Sequence, residues 1–432
     1  MIRAHSIALD PTAKQEEYFR RACGTARFAY NWALNEWERR YKTGEKPSAQ
    51  KLKAQWNAMR KAEFPWSFET TKCAGGQAIL NLGTAYKNFF DDLAKVKRGE
   101  IRIKDVRRPT SKKKGKGDSF ALWNDQFAIE DKRIRIPKLG WVRMIEPLRF
   151  EGKILGAVVK MEGPRWAVSV QVELSDVKDV HLYPDSVVGV DLGVSDLMSL
   201  SKPLPDGRVK IANPKARRAQ LKRQKKLQRR ISRQELIRRK TNAKRSNRQE
   251  KRQAALRKLH YRVACIRKDA IHKATSLVTS HFETVVLEDL NVAGMSKNHA
   301  LAGAVLDASF GEIRRQFEYK SPADGGRVVL ADRYYPSSKT CSRPGCGYVL
   351  PELGCNVRKW TCPKCSAVHD RDLNASNNLE YLVVGPAWPE PLPARPEATH
   401  GEIAALATPH KGAAKLRSVN RELNRCTYVY TN

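Results

Sequence analysis

The chain has 432 residues, and its 81 Lys and Arg against 45 Asp and Glu give a formal net charge of +36. At roughly 150 residues per domain, this length predicts two to four domains. A hydrophobic fraction of 41% is enough for a core, which argues against wholesale disorder. So large a positive charge repels itself, and nucleic acid is the polyanion that it fits.

Membrane and secreted classes are excluded next. The sequence has no window of about 18 apolar residues, as a membrane-spanning helix requires, and residues 1–15 lack the apolar centre of a signal peptide. The nine cysteines are an odd number, and five of them lie between Cys341 and Cys365. Clustered thiols indicate metal binding rather than disulfides, so we expect a reducing, cytoplasmic location.

The first 96 residues predict one strand and a small helical unit. Residues 2–9 alternate loosely as a strand does, and Asp10 is a candidate N-cap ahead of Pro11. Apolar spacing then predicts helices over about 11–41, 48–62 and 75–96. Tryptophans interleave with basic residues in and after this region, and most are expected in the core while some could stack on bases: Trp32, Trp37, Trp56, Trp66 and Trp123.

The middle of the chain changes from helical to strand patterns. Residues 97–117 are basic and rich in Gly and Pro, and two interpretations stay open: a loop that contacts phosphate, or a solvated linker. Residues 118–174 contain short β-branched and aromatic segments with turns between them, which predicts antiparallel strands in a small barrel that the first strand could complete. Residues 187–201 predict a buried strand, a turn and a returning strand.

The strongest shift in composition covers residues 215–258, where 20 of 44 residues are Lys or Arg and Gly and Pro are absent. Long helices are expected, with a hairpin near Thr241 and Asn242. Such a stretch repels itself without a polyanion, so Arg229 and Arg230 are candidates for nucleic-acid contact. A helix at 259–280, a strand at 283–289, a helix at 308–319 and a strand at 326–331 follow. The Pro-rich residues 385–432 are predicted to be disordered.

Three acids stand out by their setting. Asp191 ends the apolar run VVGVDLG, Glu288 ends the run in VVLEDL, and Asp372 lies in HDRDLNASNNL, which resembles the opening of a helix. Taken singly, each has an ordinary explanation as a turn residue, an exposed strand end or a helix cap. Together, such carboxylates from different elements predict a Mg²⁺ site, and two metals there could activate water in phosphodiester hydrolysis.

A second cluster consists of cysteines. Cys341 and Cys346 are followed, after 15 residues, by Cys362-Pro-Lys-Cys365. Two thiol pairs can supply four thiolates to a tetrahedral, structural Zn²⁺. Cys355 lies between the pairs and could substitute for a ligand. His369 could be a further ligand, although a supporting or loop role is favoured.

With these residues in view, residues 1–382 resemble the transposon-encoded TnpB family. The most specific parts are VVGVDLGVSDLMSLS, VVLEDLNVAGM and the cysteine pairs that run into HDRDLNASNNL; KKLQRRISRQ, YRVACIRKDAIHKATS and AYKNFF are similar too. The resemblance implies an α/β multidomain fold. Its parts are a RuvC-like nuclease domain of RNase H type with an inserted zinc module, a helical recognition lobe and an oligonucleotide-binding-like wedge β-barrel.

The resemblance also implies bounds for these parts. In chain order, they are the first wedge strand at 1–10, the helical recognition domain at 11–117, the wedge barrel at 118–184, the RuvC-like domain with its basic helices at 185–335, the zinc module at 336–368, the end of the RuvC-like domain at 369–384 and a disordered tail at 385–432.

The family's functional residues carry over by motif. Asp191, Glu288 and Asp372 occupy the catalytic acid positions that hold Mg²⁺, and the presence of all three argues against nuclease-dead relatives. The last acid of the motif precedes x-Asn-Ala, which selects Asp372 over Asp370, the fallback. By a loose alignment, three residues are candidates for reading a short motif beside the target: Lys72, Gln77 and Asn124.

The family implies an RNA-guided DNA endonuclease whose guide comes from a transposon-derived RNA. The expected partners are guide RNA and double-stranded target DNA, with no membrane, and the chain is a monomer or an RNA-bound complex of open oligomeric state. A prokaryotic cytoplasm is expected, with nucleoid association on DNA. The alternatives are a miniature type V CRISPR effector nuclease, a non-cutting RNA-guided DNA-binding regulator and a transposase proper.

Overall fold

The computed structural model describes residues 2–174, 183–354 and 356–385, with the backbone alone at 183–185. Cys355 and the segment predicted to be disordered from residue 386 onward lie outside the described residues. The helices are α1 (Ala13–Lys42), α2 (Ala49–Glu63), α3 (Lys72–Lys97), α4 (Ala216–Thr241), α5 (Asn247–His281), α6 (Val292–Met295), α7 (Ala302–Ala308), α8 (Phe310–Ala323) and α9 (Arg371–Val384).

The strands of the described ranges form a seven-stranded, a five-stranded and a two-stranded sheet. They are β1 (Ile2–Asp10), β2 (Ser119–Trp123), β3 (Ala128–Glu130), β4 (Arg133–Ile136), β5 (Gly140–Met144), β6 (Lys153–Glu162), β7 (Arg165–Glu173), β8 (Tyr183–Asp191), β9 (Asp196–Leu200), β10 (Lys210–Ala212), β11 (Phe282–Glu288), β12 (Arg327–Ala331), β13 (Lys359–Thr361) and β14 (Val368–Asp370).

The N-terminal helices follow the predicted spacing, but α1 begins differently. Thr12 is its N-cap: the Thr12 hydroxyl accepts from the Gln15 N–H, and the Gln15 side chain accepts from the Thr12 N–H. The prediction of Asp10 as N-cap is therefore wrong, because β1 extends through Asp10. Trp37 of α1 is buried and stacks on Tyr86 of α3 with ring centroids 4.4 Å apart, which confirms a core role for that tryptophan.

The first sheet has the order β2-β6-β7-β1-β5-β4-β3, and β1 joins its halves by pairing with β7 and then with β5. No described pairing joins β2 to β3, so hydrogen bonds do not close the predicted barrel. The sheet is nevertheless strongly curled. Six inter-strand spacings of about 4.8 Å would hold β2 and β3 roughly 29 Å apart in a flat sheet. Residues 124–127, which connect the two strands, can span only about 17 Å.

The second sheet has the order β10-β9-β8-β11-β12, with β8, β11 and β12 parallel and β9 and β10 antiparallel. Side chains alternate between its two faces. Val188 and Val190 share a core with Ile313 of α8, whereas Val187 packs with Leu379 of α9. The sheet therefore lies between α5 and α8 on one face and α9 on the other.

The basic region forms the predicted helical hairpin. Helix α4 ends where Asn242 adopts a left-handed conformation (φ 47°), and α5 begins five residues later. Glu235 of α4 accepts a 2.8 Å hydrogen bond from the Gln249 amide of α5, which joins the two helices. Among the helices of the described ranges, none is long and apolar enough to cross a membrane.

Candidate active site and cysteine cluster

Asp191 and Glu288 lie side by side at the carboxyl ends of parallel strands. In the register of β8 and β11, Val190 is opposite Leu287, so the two acids are the next residues of each strand. Val286, two residues before Glu288, belongs to the core under α9. Because side chains alternate along a strand, both carboxylates face the α9 side of the sheet.

Gly189 determines how closely α9 approaches these acids. A Cβ atom at Gly189 would lie 1.9 Å from the carbonyl oxygen of Ser376, so any larger residue would displace the helix. Asp372 precedes Ser376 by one helical turn, a rise of about 6 Å, and Asp191 follows Gly189 by two strand residues, about 6.6 Å. The close contact at Gly189 therefore brings Asp372 to the level of Asp191.

The other two acids influence the protonation of Asp191. Burial raises the pKa of Asp191 well above its usual value, and the charges of Glu288 and then Asp372 raise it further. Burial also raises the pKa of Glu288, while a hydrogen bond from the Ser337 hydroxyl acts in the opposite direction. Crowded carboxylates disfavour one another's charged forms, and a hard divalent cation is the ligand that relieves this repulsion.

Asp370 has a different role from Asp372. One oxygen of Asp370 accepts the backbone N–H groups of Asp372 and Leu373, each at 3.1 Å, which caps α9. Its other oxygen lies 2.9 Å from the Lys210 ammonium. Burial acts to raise the pKa of Asp370, but the Lys210 ion pair and the capping N–H groups outweigh it and lower the pKa. The Asp370 carboxylate is thus engaged in holding the helix, which favours Asp372 as the third acid.

The four predicted zinc ligands come together. The sulfur atoms of Cys341, Cys346, Cys362 and Cys365 all lie within 4.8 Å of one another. Cys341 and Cys365 are 3.6 Å apart, and Cys346 and Cys362 are 3.7 Å apart. A tetrahedron with Zn–S bonds of about 2.3 Å has S···S edges of about 3.8 Å, so the donor set fits Zn²⁺.

His369 supports this cluster. Its Nε2 lies 3.0 Å from the sulfur of Cys341, and its ring packs on Trp360 with centroids 4.6 Å apart. An imidazole N–H in this place can donate to a metal-bound thiolate, in line with the supporting role favoured from the sequence. His369 stands in β14, three residues before Asp372, so the cysteine cluster directly precedes the third acid.

A hydrogen-bond network joins the cysteine segment to the acids. The Asn378 side-chain amide donates to the carbonyl groups of Ser337 and Thr340, both at 2.7 Å, and Asn374 donates to Thr340 at 2.7 Å. The Ser337 hydroxyl in turn donates to Glu288. Sequence reasoning missed this network, although two asparagines four residues apart after an acid, in HDRDLNASNNL, are a visible signal for one buried polar helix face.

The candidate motif-reading residues converge on Trp123. The Trp123 indole N–H donates to the Gln77 side chain at 2.8 Å, and the Lys72 ammonium lies 5.9 Å from the indole centroid. Asn124 follows Trp123 and is exposed. Lys53 was missed from the sequence, yet its ammonium lies 4.5 Å from the same ring. Polar and cationic groups therefore surround one partly buried indole at the junction of α3 and β2.

The start of the basic hairpin is fixed to helix α7 by an acid that is remote in sequence. The two oxygens of Asp307, in α7, accept the backbone N–H groups of Arg217 and Arg218 at 3.0 and 3.1 Å. This carboxylate satisfies donors at the start of α4 that would otherwise be unpaired. Arg229 and Arg230 are exposed further along α4, and the described contacts join neither of them to the acids or to the cysteines.

Family models match three segments of the chain. A helix-turn-helix domain of the OrfB IS605 family matches residues 1–46, where the structure has β1 and one continuous helix. The OrfB IS605 model, described as "Probable transposase", matches residues 168–299. The TNB domain of Cas12f1-like proteins matches residues 310–379, which include the cysteine cluster.

Individual proteins are similar over most of the chain. A solved Cas12f1–sgRNA–target DNA complex aligns with a TM-score of 0.47 and 14% identity, covering 85% of this chain and 83% of that one. InsQ of Escherichia coli (strain K12), provisionally named an RNA-guided DNA endonuclease, is 30% identical. The alignment covers 88% of this chain and 91% of InsQ. A relative from Streptomyces pristinaespiralis with the same provisional name is 32% identical, covering 87% and 88%. The chain therefore belongs to the transposon-encoded TnpB family.

Proposed function

We propose that the protein is an RNA-guided DNA endonuclease of a transposon, which cuts double-stranded DNA beside a short flanking motif with a guide from a transposon-derived RNA. The observation that carries the proposal is the convergence of Asp191, Glu288 and Asp372 on one face of the second sheet. The names of the relatives and the charge of +36 support it. The domain bounds given from the resemblance are part of the same proposal.

The second sheet with α4 to α9 is the RuvC-like domain in this proposal. Two adjacent strand ends and the first turn of a helix carry carboxylates on one face of the sheet, where the charges of Glu288 and Asp372 act on Asp191, which suits an oxygen-ligated Mg²⁺. Bound there, Mg²⁺ supplies an activated water and stabilises the leaving oxygen of the phosphodiester. The chain itself supplies position: Gly189 sets the height of α9, Asp370 caps it, and Ser337 orients Glu288.

The remaining parts hold the nucleic acids. The basic hairpin of α4 and α5, together with the curled first sheet as the wedge domain, holds the structured RNA through its phosphates. Guide pairing supplies target specificity, while the protein reads only the flanking motif. The cluster of Lys72, Gln77 and Asn124 around Trp123 is the candidate reader, because amide and ammonium groups there stay close to an aromatic anchor.

We assign Zn²⁺ to the four cysteines in a structural role. Four thiolates fill a tetrahedral shell and leave no position for a reacting water, unlike a catalytic zinc site. Asn378 donates to the carbonyl groups of Thr340 and Ser337, and the Ser337 hydroxyl donates to Glu288, so the cysteine segment is connected to one of the acids. A folded cysteine cluster therefore fixes the segment that touches Glu288.

The test compares wild type with Asp191→Asn, expressed with the native flanking DNA that encodes the RNA. We expect the variant to copurify the same RNA and to lose plasmid cleavage by about 100-fold or more, because a metal ligand is gone. Asp206→Asn is the control, since the described contacts of the Asp206 side chain all go to Arg208 in an exposed turn. Cleavage by Asp191→Asn at the wild-type rate would contradict the site.

Sequencing of the copurified RNA tests the guide. One dominant structured RNA with a variable 3′ end from the edge of the element supports the proposal. A repeat-derived RNA would indicate a CRISPR effector instead, and a broad mixture of cellular RNAs would remove the support for guidance.

A further inference from the structure

An aromatic cavity opens on α1, at the turn formed by Pro65–Glu69. Its volume is about 530 Å³. Phe28 and Trp66 line it with 38% and 41% of their surfaces exposed, and their rings meet edge to face at 5.2 Å. Behind them Trp56 is fully buried against Trp32, with centroids 5.5 Å apart. The cavity therefore has aromatic walls that rest on the core and remain open to solvent.

The basic segment 107–118 is fixed beside this cavity at three points of α1. The Asn31 side chain, which lines the cavity, holds the backbone of Lys112 by accepting its N–H at 2.8 Å and donating to its carbonyl at 3.0 Å. Arg27 pairs with Asp118 at 3.1 Å, and Arg108 pairs with Glu38 at 3.3 Å. The other cations of this segment are exposed: Arg107, Lys113, Lys114 and Lys116.

The polar groups of the cavity suit a nucleotide. None of the described residues that line it is acidic, so a phosphate meets no lining carboxylate. Asn35 is exposed on the cavity wall, and its amide can both donate to and accept from the edge of a base. Gly24 lines the cavity without a side chain, and a Cβ there would meet nothing closer than 3.9 Å. The absence of a side chain at Gly24 thus leaves space next to the aromatic walls.

We propose that this cavity receives one unpaired nucleotide of the bound nucleic acid. The base stacks on Phe28 or Trp66, and its phosphate faces the lysines of the anchored segment. Because every base has a π-face, such a site holds a strand without reading its sequence. The inference rests on the proposed function only because it requires a bound nucleic acid. The residues that line this cavity differ from those around Trp123. The nucleotide comes either from the RNA or from an unpaired DNA strand, and the stacking chemistry is the same for both.

Two variants change the cavity by different means. Gly24→Leu places a bulky side chain in it beside the aromatic walls, and leucine is a better helix former than glycine, so α1 is retained. Trp66→Ala removes one wall at a position that is partly exposed. Gly311→Leu is the matched control, because Gly311 is also helical and exposed and has nothing within 4 Å of an added Cβ.

Photo-cross-linking of the full-length protein with its copurified or reconstituted RNA gives the test. One arm carries 4-thiouridine in the RNA, and the other carries 5-iododeoxyuridine in the target DNA, with peptides mapped by mass spectrometry. A cross-link to Phe28 or Trp66 in either arm is expected and identifies the source. Stacking energies correspond to roughly 5- to 150-fold in binding, so the cross-link should fall by that range in Gly24→Leu and Trp66→Ala and persist in Gly311→Leu.

Four outcomes overturn the inference. A complex that still cuts DNA but cross-links in neither arm at these residues would leave the proposed function standing and remove the nucleotide site. An unchanged cross-link in Gly24→Leu would place the base elsewhere. A dimer that Gly24→Leu dissociates would assign the cavity to a second copy of the chain. A preparation that neither binds RNA nor cuts DNA overturns the proposed function as well.

Discussion

The hydroxyl of Ser337 donates a hydrogen bond to the carboxylate of Glu288. Ser337 is buried, and its own carbonyl group accepts from Asn378 of α9. The segment that enters the cysteine cluster therefore touches one acid through its side chain and the helix of another acid through its backbone. Neither the strand nor the helix alone fixes the geometry of the site.

Ser337→Ala should lower the rate of DNA cleavage by roughly 10- to 100-fold, as for other residues that orient metal ligands. The reason is that Glu288 loses the donor that holds its carboxylate. RNA binding and zinc content should not change. The measurement is single-turnover cleavage, with Ser338→Ala as the control, since no described contact joins the Ser338 side chain to Glu288. Equal rates for the two variants would show that Ser337 does not position the acid.

Single substitutions of Asp370 and Asp372 distinguish the residue that caps α9 from the residue that binds metal. Asp372→Asn should reduce cleavage by about 100-fold or more with little change in Tm, because a metal ligand is lost. Asp370→Ala should lower the Tm, since loss of an N-cap costs about 1 kcal/mol, and should reduce cleavage less. Cleavage and thermal unfolding are measured on the same preparations. Abolished cleavage with an unchanged Tm in Asp370→Ala would reverse the assignment.

Zinc affinity should depend on His369. We expect one zinc per purified chain, and His369→Ala should weaken binding about 10- to 100-fold because the thiolate of Cys341 loses its N–H donor. Competition with a coloured chelator measures the affinity. His299→Ala is the control, since His299 is exposed in a loop outside the cluster. Full loss of zinc from His369→Ala at saturating metal would instead make His369 a ligand.

Gly189→Ala should separate α9 from the second sheet. The added methyl group would overlap the Ser376 carbonyl oxygen, and overpacking of this kind costs about 1–3 kcal/mol in the free energy of unfolding. The cleavage rate should fall by more than the loss of folded protein explains, because Asp372 moves with the helix. Thermal unfolding and cleavage are compared with those of Gly311→Ala, where an added Cβ meets nothing within 4 Å. A Tm equal to that of the control would refute the close approach.

Glu36 makes a pH-dependent contribution to the stability of the N-terminal helical unit. Hydrogen bonds from Arg39 and then Arg40, working against burial, lower the pKa of Glu36 from 4.5 to about 2. The folded form thus binds its proton more weakly than the unfolded chain. Its stabilisation is complete above pH 4.5 and is lost as the pH falls toward 2. Glu36→Gln should lower the Tm at pH 7, and the difference from wild type should close near pH 2. A constant difference across that range would contradict the ion pair.

Local patterns account for much of the fold. The hairpin at Asn242 was predictable because residues 215–258 contain no Gly or Pro and are strongly basic. This composition predicts long polar helices with a turn between them. Asp191 and Glu288 were predictable as acids at strand ends, since each ends a buried apolar run. Asp10 was misassigned because a cap motif cannot show that the preceding strand continues through the same residue by pairing with β5.

Long-range contacts account for what the sequence did not show. Ser337 acts on a carboxylate 49 residues away, and Asn31 holds a backbone segment 81 residues away, and no spacing rule relates such positions. Closure of the first sheet was overestimated for a related reason. Strand patterns indicate how many strands exist, whereas hydrogen bonding between the edge strands depends on the short turn that joins β2 to β3.

The order of the acids along the chain has a consequence for protein synthesis. The basic hairpin and the first two acids leave the ribosome well before α9, which brings Asp372 and covers one face of the second sheet. A nascent or prematurely terminated chain can therefore display its cationic helices while the three acids are not yet assembled. If the acids act as proposed, cleavage waits until the cysteine segment and the final helix have been made.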